Sequence, residues 1–122
     1  CNIQFLGDLN NKDLQEAYQN ADIFALTSVP KADSVEGFGI VYLEASAHGL
    51  PILAHNIGGV EDAVVDGQTG SLCDPNKPDQ LQEKLKELIE QPEKRENLGK
   101  AGIEWASKHS WKKMAKRLYE LV

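Results

Sequence analysis

The chain is predicted to be an α/β protein built on a parallel sheet, and three observations carry that prediction. Short apolar runs alternate with amphipathic helical runs along its 122 residues, the pattern of successive βα units. The run Ile23-Phe-Ala-Leu26 is nearly continuous rather than alternating, as in strands buried on both faces. Glycines follow two of the apolar runs, at Gly37 and Gly39 and at Gly58-Gly59, where open parallel sheets hold ligands beyond the carboxyl ends of their strands.

Ile3-Gln-Phe-Leu6 reads as a short strand, with Gly7-Asp-Leu-Asn10 as its exit loop. Lys12 to Asn20 reads as a helix, because Leu14, Ala17 and Tyr18 fall at the i, i+3, i+4 spacing. Ala21 to Leu26 contains the next strand, and Thr27 to Val35 is a polar loop broken by Pro30. A helix-like run follows Gly39 and reaches His48, where Gly49-Leu50-Pro51 stops it. Ile52 to Ala54 is a strand, and His55-Asn-Ile-Gly-Gly59 is a loop. Val60 to Val64 is a short helix, Asp66-Gly-Gln-Thr-Gly70 a turn, and Ser71-Leu-Cys73 a strand. Pro78 to Glu90 is a helix with Leu81, Leu85, Leu88 and Ile89 on one stripe. Pro92 opens a further helix that passes a weak spot at Gly99 and Gly102 and reaches Lys108. Ser110 is expected to cap a last one, with Trp111, Met114, Ala115, Leu118 and Val122 as its apolar face. A doubly wound domain has roughly six strands in two halves. About four are expected here, so the chain reads as the second half of such a domain followed by three C-terminal helices.

Composition narrows the class. At 122 residues there is room for one domain. Hydrophobic residues are 41% and charged ones 26%, an ordinary globular balance. The formal charge of −6 argues against nucleic-acid binding, which needs a basic face. No apolar run reaches the ~18 residues of a membrane span, and no signal-peptide pattern is present. Cys1 and Cys73 are the only cysteines. They lack metal-site spacing and fit a reducing, cytoplasmic setting, with a single disulfide left open. Met114 is the only methionine, so the chain is expected to be a piece of a longer polypeptide.

The most informative stretch is Glu36-Gly-Phe-Gly-Ile-Val-Tyr-Leu-Glu44, two carboxylates eight positions apart around a glycine-bearing loop and a helix start. Free backbone N–H groups and the positive end of the helix macrodipole converge there, which makes an anion site. Glycines let a backbone approach a ligand closely. A carboxylate at that mouth repels a phosphate, so Glu36 is read as serving another purpose.

Further motifs stand in a fixed order: Ala21-Asp22-Ile-Phe-Ala-Leu-Thr-Ser28, Glu36-Gly-Phe-Gly39, Leu43-Glu-Ala45, Ala47-His-Gly-Leu-Pro51, Gly58-Gly59 and Asp66-Gly-Gln-Thr-Gly70. The chain resembles the donor-binding half of retaining glycosyltransferases of the GT-B fold (group 1, or family 4, type) over nearly all its length, from Phe5 to Trp111. The fold class implied is α/β, a parallel-sheet Rossmann-like (GT-B) half-domain with C-terminal helices. Residues 1–122 are then part of the C-terminal nucleotide-sugar-binding domain. The implied activity is retaining hexosyl transfer from a nucleotide sugar (UDP-, GDP- or ADP-linked) to a sugar or lipid-linked acceptor, in polysaccharide or glycoconjugate biosynthesis.

The resemblance also implies roles. Glu36 becomes the catalytic-site carboxylate beside the donor sugar, near its anomeric region. Glu44 accepts hydrogen bonds from the ribose hydroxyls. Gly37, Phe38, Gly39 and Ile40 meet the sugar and diphosphate through backbone, as do Gly58 and Gly59. The loop Gly7 to Asn10 lies near the base. The spacing agrees with this, since ~1.5 Å per residue puts Gly39 and Glu44 roughly 8 Å apart, about a diphosphate-to-ribose distance. An ionised carboxylate is acceptor-only and suits two hydroxyls. No metal and no cofactor beyond the nucleotide-sugar substrate are expected. The Arg/Lys pair that holds the leaving diphosphate in the family, and the acceptor domain, are not recognisable in this chain, so it is expected to be inactive alone. Two departures touch the loop: Ser28 to Val35 is longer than the usual connection, and Thr27 stands where a proline is common.

Each residue also has a plainer reading. Glu44 alone is an ordinary solvent-facing helix residue, and only the surrounding motif lifts it above that. Glu36 would be favoured near any helix N-terminus. Gly58 and Gly59 serve a tight turn or a close approach to diphosphate. Glu61 reads as a helix-start residue. His48 is expected to face outward at its helix end, with His55 in the loop near the site. Cys73 reads as a small buried residue. Lys108, Lys112, Lys113, Lys116 and Arg117 form a solvated basic face over an apolar stripe, with peripheral membrane contact as the alternative. The competing function is a non-catalytic nucleotide-sugar-binding or regulatory module. A GT-B epimerase or phosphorylase is disfavoured by the Glu36/Glu44 pair.

Overall fold

The computed structural model describes residues 3–27 and 40–120, without the side chains of residues 40 and 110–120. In order along the chain are α1 (Asn11–Asn20), β1 (Phe24–Leu26), α2 (Ile40–Ala47), β2 (Ile52–His55), α3 (Val60–Ala63), β3 (Gly70–Cys73), α4 (Pro78–Glu90) and α5 (Pro92–Glu120). The strands form one parallel sheet in the order β1-β2-β3. Phe24 is paired with Ile52, and Ile52 with Gly70.

Central β2 is buried along its whole length, and its alternation divides the core. Ile52 and Ala54 point into a cluster with Tyr42, Leu43 and Ala45 of α2, Val60 and Ala63 of α3, and Ala106 of α5. Leu53 points the other way, to Cys73, Leu88 of α4 and Leu98 of α5. Successive strand side chains face opposite ways, so helices cover both faces, as a parallel sheet requires. Asn10 starts α1 by accepting from the Asp13 N–H at 2.8 Å, a standard N-cap. At the corner between α4 and α5, Arg95 donates to the carbonyls of Leu88 at 2.7 Å and Ile89 at 2.9 Å.

Three expectations are corrected. Ile3–Leu6 forms no strand; Ile3, Phe5 and Leu6 are 78%, 93% and 53% exposed. A strand needs a neighbour. None of the three described strands pairs with this segment. Hence the described residues hold three strands rather than four. Second, α5 runs unbroken through Ser110. Its glycines are points of close packing: a Cβ on Gly99 would lie 2.2 Å from the Gly49 carbonyl oxygen. Third, His48 does not stand free in solvent. Its ring lies 4.9 Å, centroid to centroid, from Tyr18. The α4 stripe is also only partly covered, with Leu88 fully buried but Ile89 59% exposed.

Candidate functional site

Parallel strands direct all their carboxyl ends to one pole. There lie Thr27 after β1, Asn56 after β2 and Asp74 after β3, together with the N-terminus of α2 and the Gly58-Gly59 loop. Glu36, Gly37, Phe38 and Gly39 fall outside the described residues. Ile40 is the first residue of α2. Its amide belongs to the first turn, where N–H groups lack intrahelical partners.

Glu44 lies one turn further along α2 and is exposed, whereas Leu43 and Ala45 on either side of it are buried at 2% and 0% exposure. The helix is therefore held by its apolar faces and shows this carboxylate to solvent. Tyr18 of α1 is a neighbour that spacing alone did not single out. It is 7% exposed, and its ring contacts both His48 and Phe24. Burial, and then the negative charge of Glu44, push the Tyr18 phenol above its ordinary pKa. In the sequence Tyr18 reads only as part of an apolar helix face, and nothing local marks it as a neighbour of Glu44.

The Gly58-Gly59 loop follows β2 directly. Gly58 has φ +51°, and beyond its chain neighbours no heavy atom of the described residues lies within 4 Å of where a Cβ would be. Backbone conformation, not crowding by the described residues, is what calls for glycine there. Gly59 precedes α3 as its N-cap. His55 is the last residue of β2 and buried, not a loop residue. Glu61 lies in the first turn of α3 and, with Asn56, Asp66, Asp74, Lys77 and Gln80, lines a cavity of about 710 Å³ near the same pole. Several of those polar groups are engaged locally: Asp66 accepts from the Leu72 N–H at 3.0 Å, and Gln80 from the Asp74 N–H at 2.7 Å. Among the described residues no three His, Cys, Asp or Glu side chains are grouped to hold a metal. Among them, too, no helix is long and apolar enough to cross a membrane.

Residues 1–105 match the family described as Glycosyl transferases group 1. Over 99% of its length the chain is 38% identical to a GDP-mannose-dependent monoacylated alpha-(1-6)-phosphatidylinositol monomannoside mannosyltransferase of Corynebacterium glutamicum, of which it covers 32%. Over 95% of its length it is 35% identical to a D-inositol 3-phosphate glycosyltransferase of Corynebacterium diphtheriae, of which it covers 26%. The chain thus spans about a quarter to a third of the length of these curated relatives. Its fold matches that of a sucrose-phosphate synthase from Thermosynechococcus elongatus with a TM-score of 0.76 at 24% identity, over 98% of this chain and 31% of that one.

Proposed function

The chain belongs to the group 1 glycosyl transferases, and from that premise we propose that it supplies the nucleotide-sugar side of an enzyme that transfers a hexosyl group with retention at the anomeric carbon. The observation that carries this reading is Glu44, a solvent-facing carboxylate between buried neighbours on α2, the helix that starts at the carboxyl pole of the sheet. In this reading Glu44 accepts from both ribose hydroxyls. The amides of Phe38, Gly39 and Ile40 and the α2 N-terminus meet the diphosphate, where fixed N–H dipoles stabilise charge that develops on a leaving group. The Gly58-Gly59 amides approach the diphosphate from their loop. Glu36 faces the sugar, and the nucleotide sugar is a substrate that needs no further cofactor.

The names of the relatives put GDP-mannose at the head of a donor panel and an inositol-bearing lipid at the head of the acceptors. The test uses the longer polypeptide that contains this chain. Each nucleotide sugar is supplied with acceptor, and released nucleoside diphosphate is measured for the wild type and for Glu44→Ala. Release from one donor is expected, and the variant should need roughly ten- to a hundred-fold more of it, the size of a lost charged hydrogen-bond pair. Binding without release would favour a non-catalytic module. Absence of both would overturn the site.

A further inference from the structure

Neither Gly58 nor Gly59 has a side chain with which to anchor its loop, so the loop is placed by what flanks it. On its far side is α3, a helix of a single turn, and a helix that short has almost no stability of its own. Val60 and Ala63 tie it to the core. One side chain from a distant part of the chain holds its end: the indole N–H of Trp105 in α5 donates to the Ala63 carbonyl at 2.9 Å. Ala63 is the last residue of α3, where helix carbonyls lack intrahelical partners. The indole is half-buried and packs against the core beneath α2 and α3. On its other side is the His109 ring, 3.8 Å away centroid to centroid. Just beyond α3, the Val65 N–H donates to the buried Thr69 hydroxyl at 3.0 Å.

We propose that Trp105 is a positioning residue for the donor site. It touches no ligand; it holds α3, and through α3 the Gly58-Gly59 amides, at a set height above the sheet. The inference rests on the reading of that loop as a donor contact.

Trp105→Phe keeps most of the aromatic body and removes the N–H. In the longer polypeptide, the Asp62 and Val64 amides, which bond within and just before α3, should exchange with solvent about two- to ten-fold faster in this variant, the range of one lost hydrogen bond. Exchange within α4 should not change. The donor KM should rise by a similar factor, with kcat and Tm near wild type. Unchanged exchange at Asp62 and Val64 would overturn the proposal, as would faster exchange with an unchanged donor KM. A fall in kcat that tracks a fall in Tm would reduce Trp105 to a packing residue. If the Phe variant does not fold, His109→Ala removes the ring packed on the indole, frees the indole to move, and should shift exchange and KM in the same direction; no movement overturns the proposal. A wild type that uses no donor removes the premise, and the exchange measurement then separates that failure from a failure of Trp105 to hold α3.

Discussion

Gly99 of α5 meets Gly49 backbone to backbone: a Cβ on Gly99 would stand 2.2 Å from the Gly49 carbonyl oxygen and 3.1 Å from its carbon. The carbonyl belongs to the turn that ends α2 and cannot swing aside as a flexible side chain could. Two helices of the same face are therefore registered by the absence of one methyl group.

Gly99→Ala is expected to lower stability by about 2 kcal/mol or more, since overpacking against backbone outweighs the ~1 kcal/mol gain in helix propensity. Gly102→Ala is the control. Its Cβ would meet Ser46 at ordinary contact distance, 3.4 Å from the side chain and 3.6 Å from Cα, and propensity should hold the change within about 1 kcal/mol of zero. Urea midpoints at constant slope check both.

Stability should fall away at both ends of the pH scale. Burial pushes the Cys73 thiol above its ordinary range, with Lys84 opposing and Asp66 adding. A folded value above the unfolded one means a contribution fully present below about pH 8.5 and lost as pH rises through the folded value. Tyr18 adds a second loss that starts above about pH 10. At the acid end, the hydrogen bond from Lys94 is the main cause that holds Glu87 below its ordinary range. That contribution is present above about pH 4.3 and is lost as pH falls through the folded value. Urea midpoints between about pH 3 and pH 11 should show both limbs. Lys94→Met should flatten the acid limb, and Cys73→Ala the first part of the alkaline one.

Cys73 is fully buried, so its protonated thiol should react slowly. In a Cys1→Ser background, colour from a disulfide reagent should develop at once in denaturant and only over the unfolding time in buffer. Prompt reaction in buffer would show that β3 is open.

Among the described residues β1 has no partner on its outer edge, and with the exposed Ile3–Leu6 segment this leads to a fourth expectation. In a longer polypeptide that supplies the first strands of a doubly wound sheet, amides 3–6 and 24–26 should gain protection from exchange relative to this chain alone. Phe5→Ser should be nearly neutral here, where Phe5 is 93% exposed. In the longer polypeptide it should cost about 2 kcal/mol or more, as truncation of a buried aromatic does.

Much of this was legible in the sequence because the signals were local. Pro78 and Glu90 bound α4 as the stripe and the flanking prolines predict, and the apolar run at Ile52 became the central strand. The parallel α/β half-domain followed from the order of these elements, and its GT-B character from the resemblance of the motifs. What was not legible depends on partners. Ile3–Leu6 has the pattern of a strand but not the neighbour, and Ser110 has the chemistry of a cap inside a helix that continues through it. The glycines of α5 read as weak points because sequence shows their poor propensity and hides Gly49 and Ser46 opposite them. For the proposed donor site, a motif singles out Glu44 and the Gly58-Gly59 loop. It does not single out Tyr18 or Trp105, since they act across 26 and 42 positions respectively, distances at which no spacing rule operates.

Position 44 has a further consequence for how such proteins diversify. Leu43 and Ala45 are sealed in the core, so changes there are removed by loss of the fold before any new chemistry can be tried. A surface change away from special features costs within about 0.5 kcal/mol, so a different residue at 44 leaves foldedness nearly intact. A lineage can therefore sample alternatives at this one position without first acquiring compensating mutations, and what position 44 presents to solvent is uncoupled from selection on stability.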